Sequence, residues 1–446
     1  MSWFIKRWRS LSLFVLTAFA TAAIGVTECR GDVTALASTF FILSLVIAAL
    51  AILQPRWLRQ KLAELVRPSD ASRTSRNLVL FVTSNGAGLG HLTRVDAVRK
   101  ALNNSEYHIL TMSTGHRRSS IPRENVTYFP SQAATGFNSV DWNRNFERFF
   151  RSLVEVYCPS KIVFDGSFVY RPVTRIARKN KIPIIWIQRG CWKDGVDRKS
   201  VQRHNAIYSA DEVIIPGDYG CEEYVDFGPN VRSHYVSPVI STPISQVMSR
   251  EAACKALGLA PDRSYVLVQL GAGVINNIES DLAMVTRLIR KTHTPVLTKN
   301  PLSLAPSETG VILVEAYPIA PYLKAFDYAV QAAGYNTVQE SVAFGLPTIF
   351  IPNLETQTDD QLKRARGIQA AGLGMCAVTQ DEIKSAVINM SDKAIRREIE
   401  ENLSRAIAPT GAQEIADLLE PGRGVTSLED AVNGSDHDGN SRRYEP

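Results

Sequence analysis

Ten short apolar runs, separated by amphipathic or turn-forming stretches, constrain this chain more than any other feature. They are NLVLFVT, YHILTMS, NVTYFP, KIVFDG and IPIIWIQR between 77 and 189, then YVLVQLG, PVLTKN, VILVEAYP, YAVQAAG and PTIFIPN between 265 and 353. Several are apolar at consecutive positions rather than alternate ones, the pattern of strands buried on both faces, which predicts mostly parallel sheets covered by helices. A polar interruption, STPISQVMSREAACKALG at 241–258, divides the runs into two sets. The fold class expected is therefore α/β, with two Rossmann-like domains, 77–240 and 241–420, facing a cleft at the carboxyl ends of their sheets.

The ends of the 446-residue chain read differently. Residues 11–27 and 33–53 carry no formal charge, and the second run is long enough to cross about 30 Å of hydrocarbon as a helix. Lys6, Arg7 and Arg9 precede the first run, and Arg56, Arg59, Lys61 and Arg67 follow the second. Basic flanks stay inside, so 1–68 is expected to be a transmembrane hairpin with both α/β domains on the cytoplasmic side, a multi-pass location in the cell membrane. A signal peptide ending near AFATAA is the competing reading of the first run. A polar linker follows at 67–76, and 421–446, poor in large apolar residues, is expected to be a disordered tail. Six cysteines without C-x-x-C spacing argue against a disulfide framework and a zinc site. The net charge of +6 suits an anionic membrane surface better than duplex nucleic acid, for which no motif is present.

The first set of runs opens on SNGAGLGHLTR, 84–94. Glycines between a strand and a helix let backbone amides approach a ligand, so Gly86, Gly88 and Gly90 are candidate acceptor-side positions. A dinucleotide fingerprint fails, because His91 stands where its third glycine belongs and no acid ends the second strand; a P-loop fails for want of its lysine. A following helix buries Leu92, Val95, Val98 and Leu102 on one face. His91, in the first turn, feels the positive end of the helix dipole, which favours the neutral imidazole that a general base needs. A helix-capping or carbonyl-bonding histidine fits the position equally.

In the second set, Gly334 follows a strand and a helix starts near Asn336 or Thr337, an anion site suited to a diphosphate without a metal. Glu340 lies one turn in, placed either to accept two ribose hydroxyls or to sit as a solvated charge on the helix face.

With both halves in view, the chain resembles the nucleotide-sugar glycosyltransferases of GT-B fold, nearest to the family 28 group that includes the lipid II-forming N-acetylglucosaminyltransferases. The resemblance rests on GAGLGHLTR and on AAGYNTVQESVAFGLPTIFIPN with DDQLKRARGI. It implies that Gly334, Tyr335, Asn336 and Thr337 hold the donor diphosphate, that Glu340 binds the ribose, and that Asp360 with Gln361 read the sugar hydroxyls. It further implies that Gly271 and Gly273 approach the phosphates, that Tyr317 and Ile319 flank the base, and that His91 activates the acceptor, with Arg94 beside it. Two departures fall here: Leu89 separates Gly88 from Gly90, and the stretch from Pro352 to Gln361 is one residue longer, leaving Thr358, Asp359 and Asp360 interchangeable.

The expected activity is that of a metal-independent, inverting hexosyltransferase with a UDP-sugar as donor substrate, no cofactor, and a membrane-linked or small acceptor hydroxyl. Residues 142–157 place Phe146, Phe149, Phe150 and Leu153 beside Arg144, Arg148 and Arg151, either a core-facing amphipathic helix or one lying on a membrane. GHRRSSIPR at 115–123 is a basic loop, either one that meets lipid phosphates or an ordinary exposed loop. A nucleotide-sugar epimerase of the same fold, a non-catalytic membrane subunit and a dinucleotide oxidoreductase are the alternatives.

Overall fold

The computed structural model describes residues 77–84, 89–119, 121–222, 224–270, 279–298 and 310–420. The expected hairpin, linker and tail lie outside these residues, as do Gly86, Gly88, Gly271 and Gly273. Among the described residues no helix is long and apolar enough to cross a membrane.

The first sheet contains seven strands, all pairing in parallel: β1 (Leu78–Thr83), β2 (Glu106–Thr111), β3 (Val126–Tyr128), β4 (Lys161–Asp165), β5 (Ile184–Ile187), β6 (Glu212–Pro216) and β7 (Arg232–Val236). Their order is β3-β2-β1-β4-β5-β6-β7, which sets β1 and β4 side by side at the centre with Thr83 opposite Asp165. Numbering helices of eight residues or more, α1 (Gly90–Ala101) covers one face and α2 (Ser139–Tyr157) with α3 (Arg171–Asn180) the other. Every residue of β1 is buried, as its unbroken apolar run requires.

The second sheet orders β10 (Ile312–Val314), β9 (Thr294–Thr298), β8 (Tyr265–Gln269), β11 (Tyr328–Ala332), β12 (Thr348–Ile351) and β13 (Met375–Cys376), again all parallel. Around it lie α4 (Arg250–Leu257), α5 (Glu279–Ile289), α6 (Tyr335–Ala343), α7 (Gln361–Ala370), α8 (Gln380–Ser391) and α9 (Lys393–Leu403).

The final helix, α10 (Gly411–Leu419), corrects the expected boundary. Ile415 and Leu419 are fully buried among Val79, Phe81, Val95 and Val98, so the chain crosses back and completes the first domain's core. Glu420 then accepts the amides of Asn103, Asn104 and Ser105, at 2.7–3.1 Å, just beyond the end of α1.

Helix α2 also resolves one expectation. Phe146, Phe150 and Leu153 are buried in the core and Phe149 packs against it, while Arg144 and Arg151 pair with Asp141 and Glu147 on the solvent side. Its apolar face is already occupied by protein, which removes it as a membrane-surface helix.

Candidate active site

The carboxyl ends of the two sheets meet at a seam. β1 delivers the chain to α1, and the first turn of α1 carries His91 and Arg94, three residues apart and hence on one side of the helix. Adjacent β4 ends in Asp165, whose side chain has no exposure. His91 Nδ1 lies 2.6 Å from Asp165 Oδ1, and Arg94 donates through Nε to Oδ2 at 2.7 Å and through a terminal nitrogen to Oδ1 at 2.5 Å.

This arrangement sets the imidazole tautomer. Burial by itself would raise the Asp165 carboxyl, but the Arg94 guanidinium and the His91 ring outweigh it and hold the group below the usual carboxylate range. An ionised carboxylate only accepts, so Nδ1 carries the hydrogen and Nε2 keeps its lone pair. The 3.3 Å approach of Arg94 to Nδ1 is then two donors converging on one oxygen rather than a bond between them. Burial lowers the His91 pKa, against the pull of Asp165 and with help from the charges of Arg94 and Arg189. With its side chain 17% exposed, His91 is a neutral, oriented proton acceptor at the edge of solvent.

Arg94 was expected beside the acceptor and is not available to it. It is 3% exposed, behind Asp165, because a fully buried carboxylate needs a fully buried cation. Its guanidinium carbon stands 5.2 Å from the centre of the Tyr335 ring across the seam, and that of Arg364 stands 6.0 Å from the same centre.

Tyr335 opens α6, whose N-cap, Gly334, provides no side-chain cap, so the first-turn amides face the seam unfilled by any side chain of that residue. The Tyr335 hydroxyl donates to Gly217 O at 2.8 Å and accepts from Val239 N at 3.1 Å, so only its backbone remains for a ligand. Asn336 reaches over to Gly90 O at 3.1 Å, which brings the starts of α6 and α1 together. Beside them Thr93 and Tyr317 share a hydroxyl contact of 3.1 Å. Tyr317 is exposed, whereas Ile319 packs partly against the second domain's core.

Glu340 is half-buried and takes both the hydroxyl and the backbone amide of Ser241 on Oε1. Burial raises its pKa against those two bonds. Asp360 caps α7 by accepting from Lys363 N at 2.9 Å, and Gln361 accepts from Asn353 N at 3.0 Å, so both side chains are partly committed before any sugar arrives.

Their neighbour Asp359 is nearly buried between Arg189, at 3.2 Å, and Arg364, at 2.9 Å. Arg364 also bonds Asp218 at 2.6 Å and Ala333 O at 3.1 Å. The backbones of 191–193 and 358–360 pair across the seam through Lys193 N to Thr358 O and Asp360 N to Cys191 O, at 2.9 and 2.8 Å. The signal that would have found Asp165 is a lone carboxylate ending an otherwise apolar strand, whereas Arg364 stands between Lys363 and Arg366 and carries no such trace.

Residues 242–419 match the Glycosyltransferase family 28 C-terminal domain. Over 374 residues the chain is 24% identical to the UDP-N-acetylglucosamine--N-acetylmuramyl-(pentapeptide) pyrophosphoryl-undecaprenol N-acetylglucosamine transferase of Exiguobacterium sp., spanning 76% of this chain and 98% of that one. It is 26% identical to an uncharacterized glycosyltransferase of Methanosarcina mazei, spanning 77% and 96% respectively. Among solved structures, MurG of Acinetobacter baumannii superposes with a TM-score of 0.54 at 14% identity, over 77% of this chain and 99% of that one. The parallel two-sheet architecture agrees with these likenesses: the chain carries the family 28 C-terminal domain at 242–419 and is a glycosyltransferase of GT-B fold similar to that family.

Proposed function

We propose that the protein is a membrane-anchored, inverting glycosyltransferase that moves a hexose or N-acetylhexosamine from a UDP-sugar to the hydroxyl of a membrane-linked or small acceptor. The observation that carries this reading is the His91–Asp165 pair, its Nε2 open, set beside the uncapped start of α6. In the proposed step His91 Nε2 takes the acceptor hydroxyl's proton while the hydroxyl oxygen attacks the anomeric carbon. The bond from that carbon to the diphosphate oxygen breaks on the opposite face, so the configuration inverts and the nucleoside diphosphate leaves.

Charge growing on the leaving diphosphate meets the first-turn amides of Tyr335, Asn336 and Thr337, stabilisation of the oxyanion kind that needs no metal. Charge left on the imidazole is offset by Asp165, within 2.6 Å. A positioned base adds about 10²- to 10⁴-fold, and alignment of the two reactants can lower the barrier by about 7–11 kcal/mol. Anchoring rests on the two uncharged runs at 11–27 and 33–53 with their basic flanks, which favour a cytosolic site and a lipid-linked acceptor.

The test is transfer from a panel of UDP-sugars into membrane lipid extract, with and without a chelator. The expected result is chelator-resistant product, with His91→Ala lowering kcat at least about a hundredfold while donor binding stays near native. Full transfer by His91→Ala refutes His91 as the base, and no transfer by the native chain with any donor leaves the non-catalytic subunit.

A further inference from the structure

Away from the seam, the second domain contains a cavity of about 390 Å³ at the starts of β11 and β12, the ends of the strands turned away from the active site. Five cations line it, Arg250, Lys324, Lys393, Arg396 and Arg397, against two carboxylates, Asp327 and Glu400. Asp327 is already engaged, accepting Tyr265 N at 2.7 Å and facing Arg250 at 3.5 Å. Arg250 and Arg396 are also tied to backbone carbonyls. Lys324, Lys393 and Arg397, all exposed, have no side-chain hydrogen bond or ion pair among the described residues.

The charge is placed against local preference. Lys393 and Arg396 stand in the first turn of α9 and Arg397 directly after it, near the end where the helix dipole disfavours cations, and no acid shares that first turn. Lys393 and Arg397 are four residues apart, a like-charge pair that weakens an isolated helix. Asp392 caps the helix and offsets only part of this. Where local rules are broken without internal compensation, a functional site is the expected reason. Phe326, Phe344 and Leu346 contribute an apolar wall.

We propose that this cavity binds a soluble, phosphate-bearing small molecule, with its phosphates on Lys393, Arg397 and Lys324 and its less polar part on the Phe326–Phe344 wall. A bilayer headgroup carries the same phosphate chemistry, and the vesicle arm of the test separates it from a soluble ligand.

The test is calorimetric titration with inorganic pyrophosphate of the full chain, its donor site first saturated with UDP, and of the triple variant Lys324→Ala/Lys393→Ala/Arg397→Ala, whose sites are exposed, treated in the same way. The native chain is expected to show a salt-sensitive binding event that the variant weakens at least tenfold, about 1.4 kcal/mol. Transfer at saturating UDP-sugar is expected to be the same in both. An unchanged isotherm overturns the site. Loss of binding to phosphatidylglycerol vesicles without loss of pyrophosphate binding overturns the ligand class.

Discussion

Replacing Arg94 with Gln probes the site most directly, because Arg94 touches the base's partner and not the substrate. Its guanidinium neutralises Asp165 through two bonds and brings positive charge to within 3.3 Å of His91 Nδ1. Asp165 favours protonation of the ring; Arg94 and Arg189 oppose it, while Tyr335 and Asp359 face Arg94 from the second domain. Two unit charges about 4 Å apart interact by about 4 kcal/mol at an effective dielectric constant near 20, and each 1.4 kcal/mol is about tenfold in proton affinity. Without the cation the His91–Asp165 pair therefore keeps an extra proton at a pH where the native pair has lost it, whether that proton rests on the ring or on the carboxyl. Only the unprotonated pair can act as base, so the acid limb of the kcat/KM profile moves to higher pH. The loss relative to native is expected to be at least tenfold greater near about pH 6 than near about pH 9. Arg94→Lys, which keeps the charge, is expected to move the limb back. Initial rates of sugar transfer across that range are the assay. A Gln variant whose profile runs parallel to native, uniformly lowered, refutes the electrostatic role and leaves Arg94 a packing residue.

Four further outcomes are expected. His108 is 2% exposed and stacked on Tyr157, and burial pushes its pKa down from 6.5 to about 4. The unfolded chain therefore binds the extra proton between those values, so stability is full above 6.5 and is lost as pH falls toward 4, by about 3 kcal/mol; urea midpoints across that window, flattened in His108→Leu, check this. Arg364→Met leaves Asp218 and Asp359 buried without their shared cation, and is expected to cost about 3–5 kcal/mol in urea unfolding. Gly367→Ala puts a methyl group 1.9 Å from Gly220 O, so α7 must withdraw from the 218–221 segment, and a fall in melting temperature with a raised donor KM is expected. Glu340→Gln keeps the Ser241 contact but removes charge, and is expected to raise donor KM with little change in kcat, measured by initial rates.

The paired sheets were legible because their central strands are apolar at consecutive positions, a pattern that needs burial on both faces and therefore helices above and below. The edge strands β3 and β10 were legible too, but the edge strands β7 and β13 were not, nor was β6 inside the first sheet. β7 is mostly exposed and carries no apolar run, and β13 is two residues long, so neither leaves a periodic trace. The return of α10 was hidden for another reason. Ile415 and Leu419, four residues apart, define an apolar face, but spacing says nothing about which core that face meets.

The site divides along the same line between local and distant information. His91 was legible from strand, glycines and helix start, all within ten residues. The orientation of its ring was not, since it depends on β1 lying next to β4, which brings Asp165 to a residue 74 positions away. A physical trace existed in KIVFDG, where a carboxylate ends an apolar strand, and in Arg94, whose helix otherwise buries Leu92, Val95 and Val98. A buried acid on the central sheet demands a buried cation, and Arg94 is the cation the neighbouring helix supplies. Because its guanidinium also lies over Tyr335, the first residue of the helix proposed to hold the donor phosphates, separation of the domains at the seam would remove both some of the burial that keeps His91 neutral and the aromatic contact from the cation that assists it. The charge state of the base and the docking of the donor helix are thus consequences of one set of contacts.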